Sequence, residues 1–162
     1  MRKALGLALF AAALAMPIAA KPAGMDSMQY YVGTWNCVGT QTGQPSSKAV
    51  VTYTLDSGLM RSWVDVAPQG KMKTPYLQSS ATSYDSKNGR YVSTSLDNQN
   101  QWSVSYAKPF TGMTESWADH ANSTGKLGRG SVTRNSQDTF TYLSYPAMTG
   151  AYNFKAVCHR GS

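Results

Sequence analysis

The sequence predicts an all-β protein, an antiparallel up-and-down β-barrel of about 8–10 strands, on three observations. After residue 25 the chain is rich in Ser, Thr, Tyr, Val and Trp, and Gly, Asn, Asp and Pro interrupt it at short intervals, as in strands joined by turns. Several segments alternate apolar and polar residues, which is typical of a sheet with one interior face. One cysteine lies near each end of the predicted sheet. Barrel closure removes both sheet edges, and a two-sheet sandwich is the alternative.

The N-terminus predicts an exported protein, periplasmic or secreted. Residues 1–20 read as a cleaved signal peptide, with Arg2 and Lys3 before an apolar run that ends at Pro17. The run is shorter than the roughly 20 apolar residues of a membrane span, so an uncleaved anchor is the weaker alternative. We expect no transmembrane segment in the mature form. Of the 162 residues in the chain, residues 21–32 would form an N-terminal segment with a short helix, and residues 33–160 a single barrel domain.

Ten strands account for the alternation between turn signals. The hairpin signal Asn88-Gly89 and the strand-ending Pro109 mark two of the breaks. Short connections favour pairing between neighbours in sequence, which gives a meander. The predicted strands are 34–41, 48–55, 60–66, 76–84, 90–96, 101–107, 113–119, 130–134, 139–144 and 151–159.

Cys37 and Cys158 predict a disulfide that joins the first and last strands. Two cysteines in an exported chain without a CxxC motif favour a structural bridge over a metal or redox site. If the two residues lie opposite each other in antiparallel strands, the same register places Trp35 opposite Arg160 on the same face. A guanidinium on an indole face contributes about 0.5–2 kcal/mol.

The triplet Gly33-Thr34-Trp35 on a first strand resembles the G-x-W signature of the calycin superfamily, which includes lipocalins, fatty-acid-binding proteins and nitrobindin-like barrels. In that superfamily the tryptophan packs against an Arg or Lys from near the C-terminus, so the resemblance implies structural roles for Trp35 and Arg160. The segment 41–47 is too short for the helical lid of fatty-acid-binding proteins. Nitrobindin-like barrels bind haem through a C-terminal histidine, but the parity of His159 places it opposite Cys158, outside the barrel. We expect no haem or other cofactor.

Catalytic and nucleic-acid-binding patterns are missing from the sequence. His120 and His159 lie in no recognisable acid–base or nucleophile motif, and no cluster of metal ligands occurs. The net charge is +7 for the whole chain and +5 without Arg2 and Lys3, and the remaining Lys and Arg residues occur singly among Ser, Thr and Gly. This distribution indicates a solvated basic surface rather than a nucleic-acid site. We therefore expect a protein that is not an enzyme, binds no metal and is monomeric.

The alternation predicts an aromatic lumen that binds a small, largely apolar ligand. For 60–66 the sequence leaves the inward face open, with a slight preference for Met60, Val64 and Val66 inside. The alternative function is a solid barrel that acts through its outer surface as a periplasmic protein-binding module or hydrolase inhibitor. A lumen smaller than about 100 Å³ would favour that alternative, since ligand pockets measure roughly 300 Å³ or more. The candidate ligand-binding residues are Tyr53, Trp102, Tyr106, Trp117, Phe140, Tyr142 and Phe154.

Overall fold

The computed structural model describes residues 24–70, 72–109 and 112–161, which form ten antiparallel strands and one short 3-10 helix. The predicted signal peptide, residues 1–20, lies outside the described residues. The helix spans Met25–Tyr31. The strands are β1 (Gly33–Gln41), β2 (Ser47–Asp56), β3 (Leu59–Val66), β4 (Tyr76–Asp85), β5 (Arg90–Asp97), β6 (Trp102–Ala107), β7 (Thr114–Asn122), β8 (Arg129–Ser136), β9 (Thr139–Tyr145) and β10 (Phe154–Arg160).

The strands pair with their neighbours in sequence, and β10 closes the sheet onto β1. The predicted meander is therefore confirmed as a closed barrel, and the sandwich alternative is excluded. In the closing pair Cys37 lies opposite Cys158 and Trp35 opposite Arg160, the register that the sequence predicted. The two cysteines form a disulfide across a sequence separation of 121. Closure is thus both hydrogen-bonded and covalent.

The 3-10 helix closes the barrel at the end where β1 begins, here called the plugged end. Its Met28 and Tyr31 side chains are buried among the barrel residues. The Trp35 indole N–H donates to the Tyr31 carbonyl at 2.7 Å, and the Tyr31 ring packs edge-on against Phe140 with centroids 5.6 Å apart. The helix is short and lacks a side-chain cap, so tertiary contacts of this kind hold it in place.

Arg160 ties the helix to the closing seam. Its Cζ lies 4.3 Å from the centroid of the fully buried Trp35 ring. Its Nη1 and Nη2 each donate at 2.9 Å, to the carbonyls of Val32 and Tyr30. Gly33 has a φ of +123°, and a Cβ there would lie 3.3 Å from Arg160 Nη1. Backbone conformation and close approach together explain the glycine two residues before the tryptophan.

No helix among the described residues is long and apolar enough to cross a membrane.

Candidate functional site

A cavity of about 460 Å³ occupies the barrel lumen and extends away from the plugged end. Residues from every strand contribute to its wall, because in each strand alternate side chains point inward. Its volume lies within the roughly 300–1,000 Å³ of small-molecule sites. The lumen is therefore large enough to accept a small molecule.

One part of the wall is aromatic and aliphatic. Five of the seven predicted lining residues are found there, on β2, β7, β9 and β10. Val51 and Val64 fill the space between them on β2 and β3. The Tyr142 and Phe154 rings meet with centroids 6.3 Å apart. The predicted residues on this wall are Tyr53, Trp117, Phe140, Tyr142 and Phe154.

The prediction that Trp102 and Tyr106 line the lumen is wrong. Both side chains point outward, and Ser103 and Ser105 of β6 face the cavity instead. Trp102 is 45% exposed. Tyr106 stacks on His120 with ring centroids 4.7 Å apart, and Arg90 Cζ lies 3.7 Å from its centroid. Outer-face partners thus cover part of the Tyr106 ring.

The opposite part of the wall is a serine arc on β3–β6, which hydrophobic alternation did not predict. Hydroxyls on neighbouring strands pair across it: Ser62 and Ser80 Oγ atoms lie 2.6 Å apart, and those of Ser95 and Ser103 lie 2.8 Å apart. A pair of serines uses only one of its two hydroxyl hydrogens internally, so one donor and several lone pairs stay available. The serine arc comprises Ser62, Ser80, Ser93, Ser95, Ser103 and Ser105.

Two charged residues complete the wall toward the end opposite the helix. Asp119 accepts hydrogen bonds from Ser105 Oγ at 2.8 Å and from the Gly128 amide at 3.0 Å. The Arg129 guanidinium lies over the Tyr145 ring, with Cζ 3.6 Å from the centroid. These contacts orient a carboxylate and a guanidinium in the cavity wall.

The lumen tyrosines are neutral hydrogen-bonding groups. Burial raises the pKa of Tyr53, and the neighbouring Tyr142 raises it further. Burial also raises the pKa of Tyr142. Burial and then the charge of Asp97 raise the pKa of Tyr76, whose hydroxyl donates to Asp97 Oδ2 at 3.1 Å. The phenols therefore keep their protons near neutral pH.

The remaining predicted positions are settled by strand parity. On β3 the side chains of Val64 and Val66 line the cavity, whereas Trp63 is 50% exposed on the outside, as the sequence slightly favoured. His159 is exposed on the outer face and lies 3.2 Å through Nδ1 from Thr139 Oγ1. Within the described part of the chain, no group of three or more His, Cys, Asp or Glu is arranged to hold a metal ion.

Comparison with solved structures finds a distant likeness in fold. The structure of a redesigned β-barrel is similar to this chain with a TM-score of 0.44 and 11% sequence identity, covering 83% of this chain and 94% of that one. No protein-family profile matches the sequence, and no curated protein matches it.

Proposed function

We propose that this protein is an exported, non-catalytic binding protein that holds one small molecule in its barrel lumen. The observation that carries the proposal is the cavity of about 460 Å³, with an aromatic wall on one side and a serine arc on the other. A barrel that acted only through its outside would have no need of such a space, and burying unused hydroxyls costs free energy. The cavity therefore favours the binding function over the solid-barrel alternative.

The two-sided wall refines the chemistry of the proposed ligand. A wholly apolar molecule would leave the spare donors of the Ser62–Ser80 and Ser95–Ser103 pairs without partners. A molecule with one apolar face and hydroxyl, carbonyl or amide groups on the other would satisfy both sides. We therefore replace the largely apolar ligand expected from the sequence with an amphipathic one.

The fold and the closing seam support a calycin-like assignment as part of the same proposal. Trp35 and Arg160 pack against each other as the resemblance implies, and the barrel has its strands in up-and-down order. The disulfide is of the kind that persists in exported proteins. The outward position of His159 gives no lumen ligand for haem, so we propose binding without a cofactor.

Native mass spectrometry of the protein purified from its own host tests the proposal. We expect a non-covalent adduct on the wild-type chain. Ser80→Phe places a ring inside the lumen and should reduce the adduct about tenfold or more, since the space and one hydroxyl pair are both lost.

Ser116→Phe is the matched control. Ser116 is exposed on the outer face of β7, so the same substitution there should keep the adduct. Circular dichroism and thermal unfolding check that both variants are folded. A wild-type chain without an adduct, or an adduct equally present on both variants, would contradict the proposal.

A further inference from the structure

The outer surface carries an exposed apolar row that the lumen function does not use. Trp63, Leu96 and Trp102 are 50%, 55% and 45% exposed. Strand register places them in one line across the sheet: Trp63 lies opposite Ser79, Ser79 opposite Leu96, and Leu96 opposite Trp102. We call Trp63, Leu96 and Trp102 the outer tryptophan face. Large exposed side chains grouped in this way, aromatic ones above all, are typical of interaction surfaces.

Small residues make the outer tryptophan face a groove rather than a dome. Ser79 and Ala81 of β4 form its floor, between Trp63 on β3 and Leu96 on β5. Thr52 and Thr94 add hydroxyl groups at its margin. The groove can therefore receive protruding apolar side chains of a partner.

The charges beside the groove are self-complementary. Arg61 and Asp65 lie two residues either side of Trp63 and point to the same outer face, where both are exposed. Neither forms an ion pair with another described residue. When two copies of β3 face each other antiparallel across a two-fold axis at Trp63, Arg61 of each copy meets Asp65 of the other. Self-complementarity of this kind is what an isologous dimer interface requires.

We propose that two copies of this chain associate through the outer tryptophan face to form a two-fold symmetric dimer. The two Trp63 side chains meet near the axis, and two Arg61–Asp65 ion pairs flank them. This inference revises the monomer expected from the sequence. It is independent of the lumen function, because the outer tryptophan face lies on the opposite surface of the sheet from the cavity wall.

Charge exchange between two variants is the sharpest test, with sedimentation velocity measured over a wide range of protein concentration. Arg61→Asp leaves two carboxylates facing two others across the axis, and Asp65→Arg leaves four cations. Each variant alone should dimerise about tenfold or more weakly than the wild type, because like charges oppose each other. A mixture of the two should form the heterodimer, in which every charge regains an opposite partner. Native mass spectrometry distinguishes that heterodimer by its mass.

Two further variants keep the test decisive. The double variant Arg61→Asp with Asp65→Arg restores two ion pairs and should dimerise like the wild type, which also shows that the single variants fail for reasons of charge. Trp63→Ala should abolish the dimer, whereas Leu127→Ala, at an exposed leucine outside the groove, should not. The proposal would be overturned if the wild-type chain were monomeric at every concentration, or if the charge variants dimerised as strongly as the wild type. This holds even if a different molecule were found to bind the outer tryptophan face.

Discussion

Glu115 gives the folded barrel a pH dependence that can be worked out from its surroundings. The residue is 3% exposed at the plugged end, and its Oε1 accepts a hydrogen bond from the Tyr31 hydroxyl of the 3-10 helix. Burial raises the pKa of Glu115 from 4.5 to about 7, although the positive charge of Arg134 opposes the rise. The folded chain therefore binds this proton more tightly than the unfolded chain does.

The direction and the size of the pH effect on stability follow from the difference between the folded and unfolded pKa values. A raised pKa stabilises the fold while the pH is below the unfolded value of 4.5, and this contribution disappears as the pH rises through about 7. Between pH 5 and pH 8 the two pKa values correspond to a loss of about 2–3 kcal/mol in the free energy of unfolding. Glu115→Gln introduces a neutral side chain of the same shape, so the variant should not lose this stability as the pH rises.

The assay is urea unfolding of wild type and Glu115→Gln at a series of pH values from 5 to 8. The free energy of unfolding of the variant, relative to wild type, should rise by about 2–3 kcal/mol across that range. Asp56→Asn, which removes an exposed carboxyl in a hairpin, serves as the control and should follow the wild-type curve. Parallel curves for Glu115→Gln and wild type would show that folding does not raise the pKa of Glu115.

Two other predictions concern the closing seam. Replacing both Cys37 and Cys158 by serine should lower the free energy of unfolding, measured by urea unfolding, by several kcal/mol. The chain-entropy upper bound for a bridge spanning 121 residues is about 5 kcal/mol. An unchanged unfolding midpoint would contradict this prediction. Arg160→Ala should cost about 2–4 kcal/mol, because Trp35 loses its cation and two part-buried carbonyls lose their donors. Arg160→Lys keeps the charge and should cost less in the same measurement, and equal costs for the two variants would show that the charge contributes nothing.

The closing seam was predictable because local pattern and covalent chemistry agree there. Period-two spacing places Trp35 and Cys37 on one face, and the disulfide then selects the register with β10. The turn residues separate the strands clearly enough for all ten to be found from sequence. The resulting barrel follows from the need to leave no open edge.

The inward face of β6 could not be predicted from hydrophobic alternation. Trp102 and Tyr106 gave the strand an apolar face, but hydroxyl pairing inside and ring stacking outside reverse its orientation. The inward face could have been predicted from serines at alternate positions of two consecutive strands. These are Ser93 and Ser95 on β5, and Ser103 and Ser105 on β6. Repetition on adjacent strands indicates a shared face, and a shared polar face can be internal when its hydroxyls pair.

The contact between Glu115 and Tyr31 also escaped prediction, for a different reason. The residues are 84 positions apart and meet only because the 3-10 helix docks into the end of the finished barrel. Nothing in the local sequence of either segment specifies that partner. Long-range polar contacts of this kind depend on the closed shape rather than on local propensity.

We expect the lumen to hold a small amphipathic molecule between two unlike walls. A crystal structure of the protein purified from its own host tests it most directly. The lumen should contain non-protein density that touches Ser80 or Ser95 on one side and Phe140 or Tyr142 on the other. A lumen filled only by water, or collapsed by rearranged aromatic side chains, would contradict it.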